Sequence, residues 1–331
     1  MRIGVIGAGS WGTTLANLLA KKGFTTALWV YEEELIPSIA TRKENHLYLP
    51  GIELDGNIVP TGSLQEACHN KDIILNVTPS QIVRQILQQI REYLSPQAIL
   101  ISASKGIENT TLLTMSEVIR EVLSLHDGSR IAVLSGPSFA LEVSREIPTA
   151  VTIASENQER AQQMQQVFST PYFRVYTNSD VVGVELGGSL KNVIALAAGI
   201  SDGLRFGYNT RAALITRGLA EISRLALKMG ASPLTLSGLS GLGDLVLTCT
   251  GELSRNRTVG MKLGEGVKLD QILKDMKMVA EGIKTTRSTY DLSRKLNVPM
   301  PITEQVYNIL YQGKDPKEAV TELMTRDLKV E

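Results

Sequence analysis

Apolar positions in the first half of the chain fall in short unbroken runs, and between those runs they recur at helical spacing. Residues 2–6, 25–30, 57–60, 72–77, 98–102 and 131–134 read as buried strands, while residues 7–22 and 78–93 read as helices or turns leading into them. Buried strands that alternate with helices predict a parallel sheet covered on both faces. Past residue 150 the pattern changes: two short strands, 149–153 and 174–176, flank a helix, and helical spacing then dominates to the end. Leu214, Ile215, Leu219, Ile222 and Leu225 form a stripe on a helix over 211–228 that Gly230 stops, and that stripe is expected to be core. At 331 residues the chain is too long for one ordinary core. It reads as α/β, with a doubly wound parallel sheet over residues 1–180 and a mostly α-helical domain over 181–331.

One stretch departs from simple patterning. Residues 181–200, VVGVELGGSLKNVIALAAGI, are almost wholly apolar or small, yet they include Glu185, Lys191 and Asn192. Charges in so apolar a segment are costly unless something pairs or uses them. On a helix, Gly187, Gly188, Lys191, Ala195 and Ala198 share roughly one face, which lets a ligand or another backbone approach the ammonium closely. The length would suit a membrane span, but three glycines, two charges and an Asn argue against one. A catalytic lysine and a lysine that merely snorkels to the surface both fit this stretch alone.

The turn after the first strand, Gly7-Ala8-Gly9-Ser10-Trp11-Gly12, stands between a strand and a helix, the context of a dinucleotide fingerprint. Gly7 permits the tight turn, Gly9 leaves room for a pyrophosphate, and Gly12 allows close helix–strand packing. The helix start offers free N–H groups and a positive dipole to the same anion. This makes the sheet Rossmann-type. The next strand closes on Tyr31-Glu32, where an acid would hold a ribose hydroxyl and repel a 2′-phosphate, so the residues favour NAD over NADP. An acidic helix start at Glu32, Glu33 and Glu34 is the alternative. Asn76, Thr78, Pro79, Lys105 and residues 136–140 follow strands, and they belong on one rim with the dinucleotide. In the second half, a glycine-rich turn over 237–244 ends in Asp244. Ser254, Arg255 and Asn256 start a helix that suits a phosphate, although a plain N-cap beside a surface arginine is the readier reading of those residues alone.

Composition narrows the chemistry. Lys+Arg 34 balance Asp+Glu 34, so nothing favours nucleic acid or an anionic membrane surface. Cys68 and Cys249 lie far apart, as expected of a reduced, cytoplasmic protein, and His46, His69 and His126 have no partners at ligand spacing, so no metal is expected. A dinucleotide fold without an obvious catalytic histidine needs another proton carrier. Lys191, held by Asp244, is the best candidate, and a phosphate seat at 254–256 implies a phosphorylated alcohol as substrate.

The chain resembles the bacterial NAD(P)-dependent glycerol-3-phosphate dehydrogenases. The resemblance is carried in order by GAGSWGTTLA at 7–16, NHLYLPGI at 45–52, SASKGIE at 102–108 and LSGPSFALEV at 134–143. It continues through ELGGSLKNVIALAAGI at 185–200, ITRGLAEISRLALKMGA at 215–231, LSGLGDLVLTCTGELSRNR at 239–257 and VAEGIKT at 279–285. It implies reversible reduction of dihydroxyacetone phosphate to sn-glycerol 3-phosphate, which feeds phospholipid synthesis. By position it implies Lys191 as proton acceptor, and Lys105, Gly136, Ser138, Lys191, Asp244, Ser254, Arg255 and Asn256 as substrate contacts. Ser10, Trp11, Lys105, Ala140, Arg255, Val279 and Glu281 would contact the dinucleotide, with Tyr31 stacking on adenine. The family commonly accepts NADPH, which sets the resemblance against Glu32, and both cofactors stay open. Two other readings compete. A dinucleotide sensor would not need Lys191, Asp244 and 254–256 together, and a hydroxy-acid dehydrogenase would need a carboxylate clamp. A homodimer is also left open.

Overall fold

The unbroken apolar runs do become strands. The computed structural model describes every residue except 126–127, 277–279, 329 and 331. In chain order its strands are β1 (Ile3–Ile6), β2 (Thr26–Trp29), β3 (Ile58–Thr61), β4 (Ile73–Asn76), β5 (Ile99–Ser102), β6 (Ile131–Ser135), β7 (Thr149–Ala154) and β8 (Phe173–Asn178). They form one sheet in the order β3-β2-β1-β4-β5-β6-β7-β8. β1, β2, β4 and β5 are buried along their whole length, which is why their sequences do not alternate. Every neighbouring pair is parallel except β6 and β7. There the chain doubles back through the short helix Ala140–Ser144 rather than a full crossover helix. The strand order reverses around β1, which has β2 on one side and β4 on the other, and that reversal marks the crevice where such sheets take ligands.

Contacts along the chain separate two compact units, Met1–Lys105 with Thr114–Glu185, and Gly106–Leu113 with Leu186–Glu331. In the first, Leu15, Leu18 and Leu19 of the helix Ser10–Lys21 share one core with Ile3 and Val5 of β1, Met164 and Phe168 of the helix Gln158–Phe168, and Phe173 of β8. The division falls inside the helix Val181–Gly203, so Glu185 belongs to the first unit while Lys191 and Asn192 belong to the second. That helix is long and apolar enough to cross a membrane, but 94% of its apolar window is buried inside the protein, which makes it a core helix.

The second unit is built of helices, including Tyr208–Lys228, Asp244–Thr250, Arg255–Gly264, Leu269–Asp275, Glu281–Lys295 and Pro301–Gln312. Several of its contacts are backbone on backbone. A Cβ on Gly199 or Gly203 would collide with the carbonyls of Arg257 or Met261, and one on Gly260 or Gly264 with those of Leu196 or Ile200. Glycines spaced four apart on each helix therefore let Val181–Gly203 and Arg255–Gly264 cross at closest approach. Close approach also occurs at Gly187, where a Cβ would sit 2.5 Å from the Ser240 carbonyl oxygen. Ala195 and Ala198, expected on the same close face, are simply core residues.

Two sequence expectations change in this unit. The stripe on Tyr208–Lys228 is buried only at Ile222 and Leu225, while Leu214, Ile215 and Leu219 are half-buried. The buried face instead runs through Gly218, Glu221 and Ala226, and the Glu221 carboxylate accepts from the N–H groups of Ile302 (2.6 Å) and Thr303 (3.1 Å). A buried acid there serves the open start of Pro301–Gln312, whose N-cap Met300 offers no side-chain acceptor. Within the glycine-rich turn expected over 237–244, residues 239–243 wind as a helical turn that runs directly into Asp244–Thr250.

Candidate active site

The first unit builds its candidate site at the carboxyl ends of β1, β4, β5 and β6. Gly7 has φ +114°, a conformation that favours glycine, and a Cβ on Gly12 would collide with the Gly7 carbonyl, while one on Gly9 would meet nothing within 4 Å. These are the three separate requirements of a dinucleotide turn: a tight bend, an open approach and a close helix. Ser10 donates to the Tyr48 carbonyl (2.6 Å), and Trp11 packs against the sheet core with its ring 6.5 Å from that of Phe173. Asn45 braces the turn, donating from Nδ2 to the Ala8 carbonyl (2.8 Å) and Thr13 Oγ1 (2.9 Å), while its Oδ1 accepts from Tyr48 N–H. Asn45 and Tyr48 did not stand out in the sequence, because the bonds that join them to the fingerprint turn and its helix span 32 to 38 positions. Tyr31 is 76% exposed and meets Trp29 edge-on. Glu32 accepts from the Tyr48 hydroxyl at 2.6 Å. Burial, reinforced by that carboxylate, pushes the Tyr48 hydroxyl up to about 12.

At the ends of β5 and β6, Lys105, Gly136 and Ser138 come together. The Lys105 ammonium and the Ser138 hydroxyl both donate to the Gly136 carbonyl, at 3.3 and 3.0 Å. Gly136 has φ +143°, and a Cβ there would press on Val151 at 2.9 Å. Ala140 begins the next short helix, and its carbonyl accepts from Thr14 Oγ1 of the fingerprint helix (3.2 Å).

The second unit gathers the other candidates. Lys191, 7% exposed, donates to the carboxylate of Asp244, itself 1% exposed, and to Thr248 Oγ1 at 2.8 Å. Thr248 donates in turn to the Asp244 carbonyl at 2.6 Å, one helical turn back. A buried ammonium is tolerable because a counter-charge and a hydroxyl meet it together. Thr248 is a further member of this group that the sequence reading passed over; its spacing of four from Asp244 on a helix is the signal.

Ser254 caps Arg255–Gly264, accepting from Arg257 N–H at 3.3 Å, which is the plain N-cap of the two readings. Arg255 opens to solvent and also lines a cavity of about 210 Å³ with Leu253, Thr258, Lys262, Ile272 and Met276. Crowding lowers the guanidinium's pKa, and the nearby Glu281 charge works the other way; the open side leaves Arg255 charged. Asn256 is buried: its Nδ2 donates to Asn192 Oδ1 at 2.9 Å, and its Oδ1 accepts from Gly282 N–H at 3.0 Å. Glu281 is the first residue of its helix. Val279 and His126 lie outside the described residues. Among the described residues no cluster of three or more His, Cys, Asp or Glu could hold a metal. Cys68 and Cys249 are free thiols that burial pushes up to about 12.

A glycine turn at the order reversal of a parallel sheet and a buried lysine–aspartate pair define the class, a nicotinamide-dinucleotide-dependent dehydrogenase. The family is fixed by comparison. Residues 2–161 and 180–321 match the N-terminal and C-terminal models of NAD-dependent glycerol-3-phosphate dehydrogenase. A glycerol-3-phosphate dehydrogenase (NAD(P)+) of Geobacter metallireducens is 60% identical over 100% of this chain and 98% of its own length. The solved glycerol-3-phosphate dehydrogenase of Coxiella burnetii superposes with a TM-score of 0.94 at 39% identity, covering 98% of this chain and 99% of that one. The yeast enzyme, from Saccharomyces cerevisiae, gives 0.83 at 29% identity, covering 98% and 99%. This chain belongs to the NAD-dependent glycerol-3-phosphate dehydrogenase family.

Proposed function

We propose that this chain carries out its family's reaction, reversible NAD(P)-dependent conversion of dihydroxyacetone phosphate to sn-glycerol 3-phosphate, with Lys191 as the proton carrier. When bound, the nicotinamide supplies or accepts the hydride at C2 of the substrate. Gly7, Gly9, Ser10, Trp11, Gly12, Tyr31, Lys105, Ala140, Arg255, Val279 and Glu281 are the proposed dinucleotide contacts. Ser254 with its helix start, Arg255 and Asn256 would take the phosphate, and Lys105, Gly136 and Ser138 would hold the remaining oxygens. During reduction the Lys191 ammonium gives a proton to the C2 oxygen as hydride reaches C2. During oxidation the neutral amine takes that proton back. Asp244 and Thr248 fix the ammonium and stabilise its charged form, contributing orientation as well as charge.

The observation that carries this reading is the buried Lys191–Asp244 pair with Thr248, a cation fixed in place yet carried on a helix of small residues. We further propose residues 1–180 as the dinucleotide domain, 181–331 as the catalytic one, and the cytoplasm as the compartment. A homodimer is left to a size measurement.

The test is oxidation of NADH and NADPH with dihydroxyacetone phosphate, followed by absorbance, for wild type and Lys191→Ala. Wild type should turn over, and the folded variant should lose about 10³-fold in kcat, the range expected for one proton-transfer group. Dinucleotide binding without any turnover by wild type would leave only a sensor.

A further inference from the structure

We infer that Gly282 is a positioning residue for the substrate side of the site, acting through Asn256 on Asn192; this rests on the lysine-centred reading above. Its backbone N–H donates to Asn256 Oδ1 at 3.0 Å, and Asn256 Nδ2 donates to Asn192 Oδ1 at 2.9 Å. Both amides are buried, Asn192 at 5% and Asn256 at 7% exposure.

The direction of this chain of bonds is fixed at one end. A backbone N–H can only donate, so Asn256 must turn its oxygen toward Gly282 and its nitrogen toward Asn192. Asn192 must then answer with its oxygen, which turns its own two N–H donors away from the chain. Those donors have no acceptor among the described residues. A side-chain amide in isolation could flip; here a group that cannot reverse sets the polarity of both.

Each member stands next to a candidate site residue. Asn192 follows Lys191, Asn256 follows Arg255 and Gly282 follows Glu281. The relay therefore ties together the three helices that carry the proton carrier, the phosphate guanidinium and the acid beside it. It also explains a glycine that backbone conformation does not require. A Cβ at position 282 would lie 2.7 Å from Asn256 Oδ1 and 2.8 Å from the Asn192 carbonyl oxygen. Any side chain there pushes the acceptor away from the N–H that orients it. Thr286 Oγ1, donating to the Gly282 carbonyl at 2.7 Å, holds the same residue from the next turn.

The experiment is a double-mutant cycle on Gly282→Ala and Asn256→Ala, read as kcat/KM for dihydroxyacetone phosphate, with NADH affinity and melting temperature measured on each variant. Gly282→Ala should lower kcat/KM about 100-fold in the wild-type background, a loss within the range for sub-ångström to 1 Å misplacement. In the Asn256→Ala background, where the Asn192 carbonyl is still pressed but no acceptor is left to orient, the same change should cost at least about tenfold less than it does in wild type. NADH affinity should fall by less than kcat/KM does, because Arg255 and Glu281, next to the relay, are themselves proposed dinucleotide contacts. Equal losses in both backgrounds, or a loss confined to NADH affinity, overturn the inference. If Gly282→Ala does not fold, the cycle on Asn256→Ala and Asn192→Ala reads the second bond in the same way, and additive losses there overturn it too. Wild-type turnover separates this failure from failure of the lysine reading, because an inactive wild type removes that reading first.

Discussion

At the end of β1, three glycines within six residues shape a ligand site from backbone alone, with space and N–H groups as its working parts. Around Lys191 the second unit does the opposite, placing an ammonium, a carboxylate, a hydroxyl and two amides in a buried setting where each depends on its partner. The two styles fail differently. A backbone site is sensitive to volume and indifferent to charge, since a single methyl group in the wrong place removes the geometry. A side-chain site tolerates changes of shape at its edges and is sensitive to the loss of any one partner, because the group left behind is buried.

The largest effect that would break this comparison is at Gly12. A Cβ there collides with the Gly7 carbonyl, a backbone atom that has no rotamer to escape into. Gly12→Ala should destabilise the protein by about 3 kcal/mol, at the upper end for overpacking, and should abolish NADH binding. Urea unfolding and NADH fluorescence titration check both. Gly9→Ala meets no protein atom, so it should keep the stability of wild type and lose only dinucleotide affinity. Equal destabilisation by the two substitutions would mean that the turn is not divided into packing and ligand positions as argued.

The difference also explains what could be read from the sequence. The fingerprint was legible because its requirements are local: Gly7, Gly9 and Gly12 lie within one turn, and the strands before and after show their burial as unbroken apolar runs. Lys191 stood out because a charge in an apolar helix is costly, and the pairing with Asp244 followed from the chemistry needed. The Asn192–Asn256–Gly282 relay and the bonds of Asn45 to Ala8 and Thr13 were not legible as a group. They span 26 to 64 positions, and spacing in sequence does not encode which polar side chains meet. The Tyr208–Lys228 stripe misled for the related reason that periodicity reports one face and not which part of it is covered.

Buried acids sharpen the contrast at a smaller scale. Glu185 lies six residues before Lys191 on the same helix, but its carboxylate is met by neutral donors, the N–H (2.8 Å) and hydroxyl of Ser116 at the start of Met115–Leu123. Without an opposite charge, burial dominates and raises its pKa from 4.5 to about 7. Glu221, held by the N–H groups of Ile302 and Thr303, is raised to about 7 because burial outweighs those bonds and the nearby Arg224 charge. In each case the folded protein keeps a proton that the unfolded chain has released. The stability that these two acids contribute is therefore fully present below about pH 4.5, is lost as pH rises toward 7, and is gone above that. Glu185→Gln should remove one of the two contributions. The stability difference between variant and wild type should shift in the variant's favour by roughly 2 kcal/mol between pH 5 and pH 8, measured by urea unfolding. A difference independent of pH would mean that Glu185 stays ionised throughout, as a charge-paired acid would.

The smallest effect concerns Glu32, a side-chain charge close after the backbone-built turn. Glu32 follows β2 and is fixed there by the Tyr48 hydroxyl at 2.6 Å, while Tyr48 is tied through its carbonyl to Ser10 in the fingerprint at 2.6 Å. A tethered carboxylate is a better discriminator than a mobile one, because it cannot swing away from an incoming phosphate. A carboxylate at this position would accept from a ribose hydroxyl and repel a 2′-phosphate. NADH should accordingly be preferred to NADPH in kcat/KM. Glu32→Ser removes the charge but keeps a small acceptor, so it should raise kcat/KM for NADPH about tenfold, roughly 1.4 kcal/mol, while lowering that for NADH several-fold. Tyr48→Phe leaves the charge and removes only its tether, so it should move the NADPH-to-NADH ratio in the same direction by less. If Glu32→Ser leaves the ratio unchanged, Glu32 serves only to hold Tyr48, and cofactor choice in this unit rests on backbone space after all.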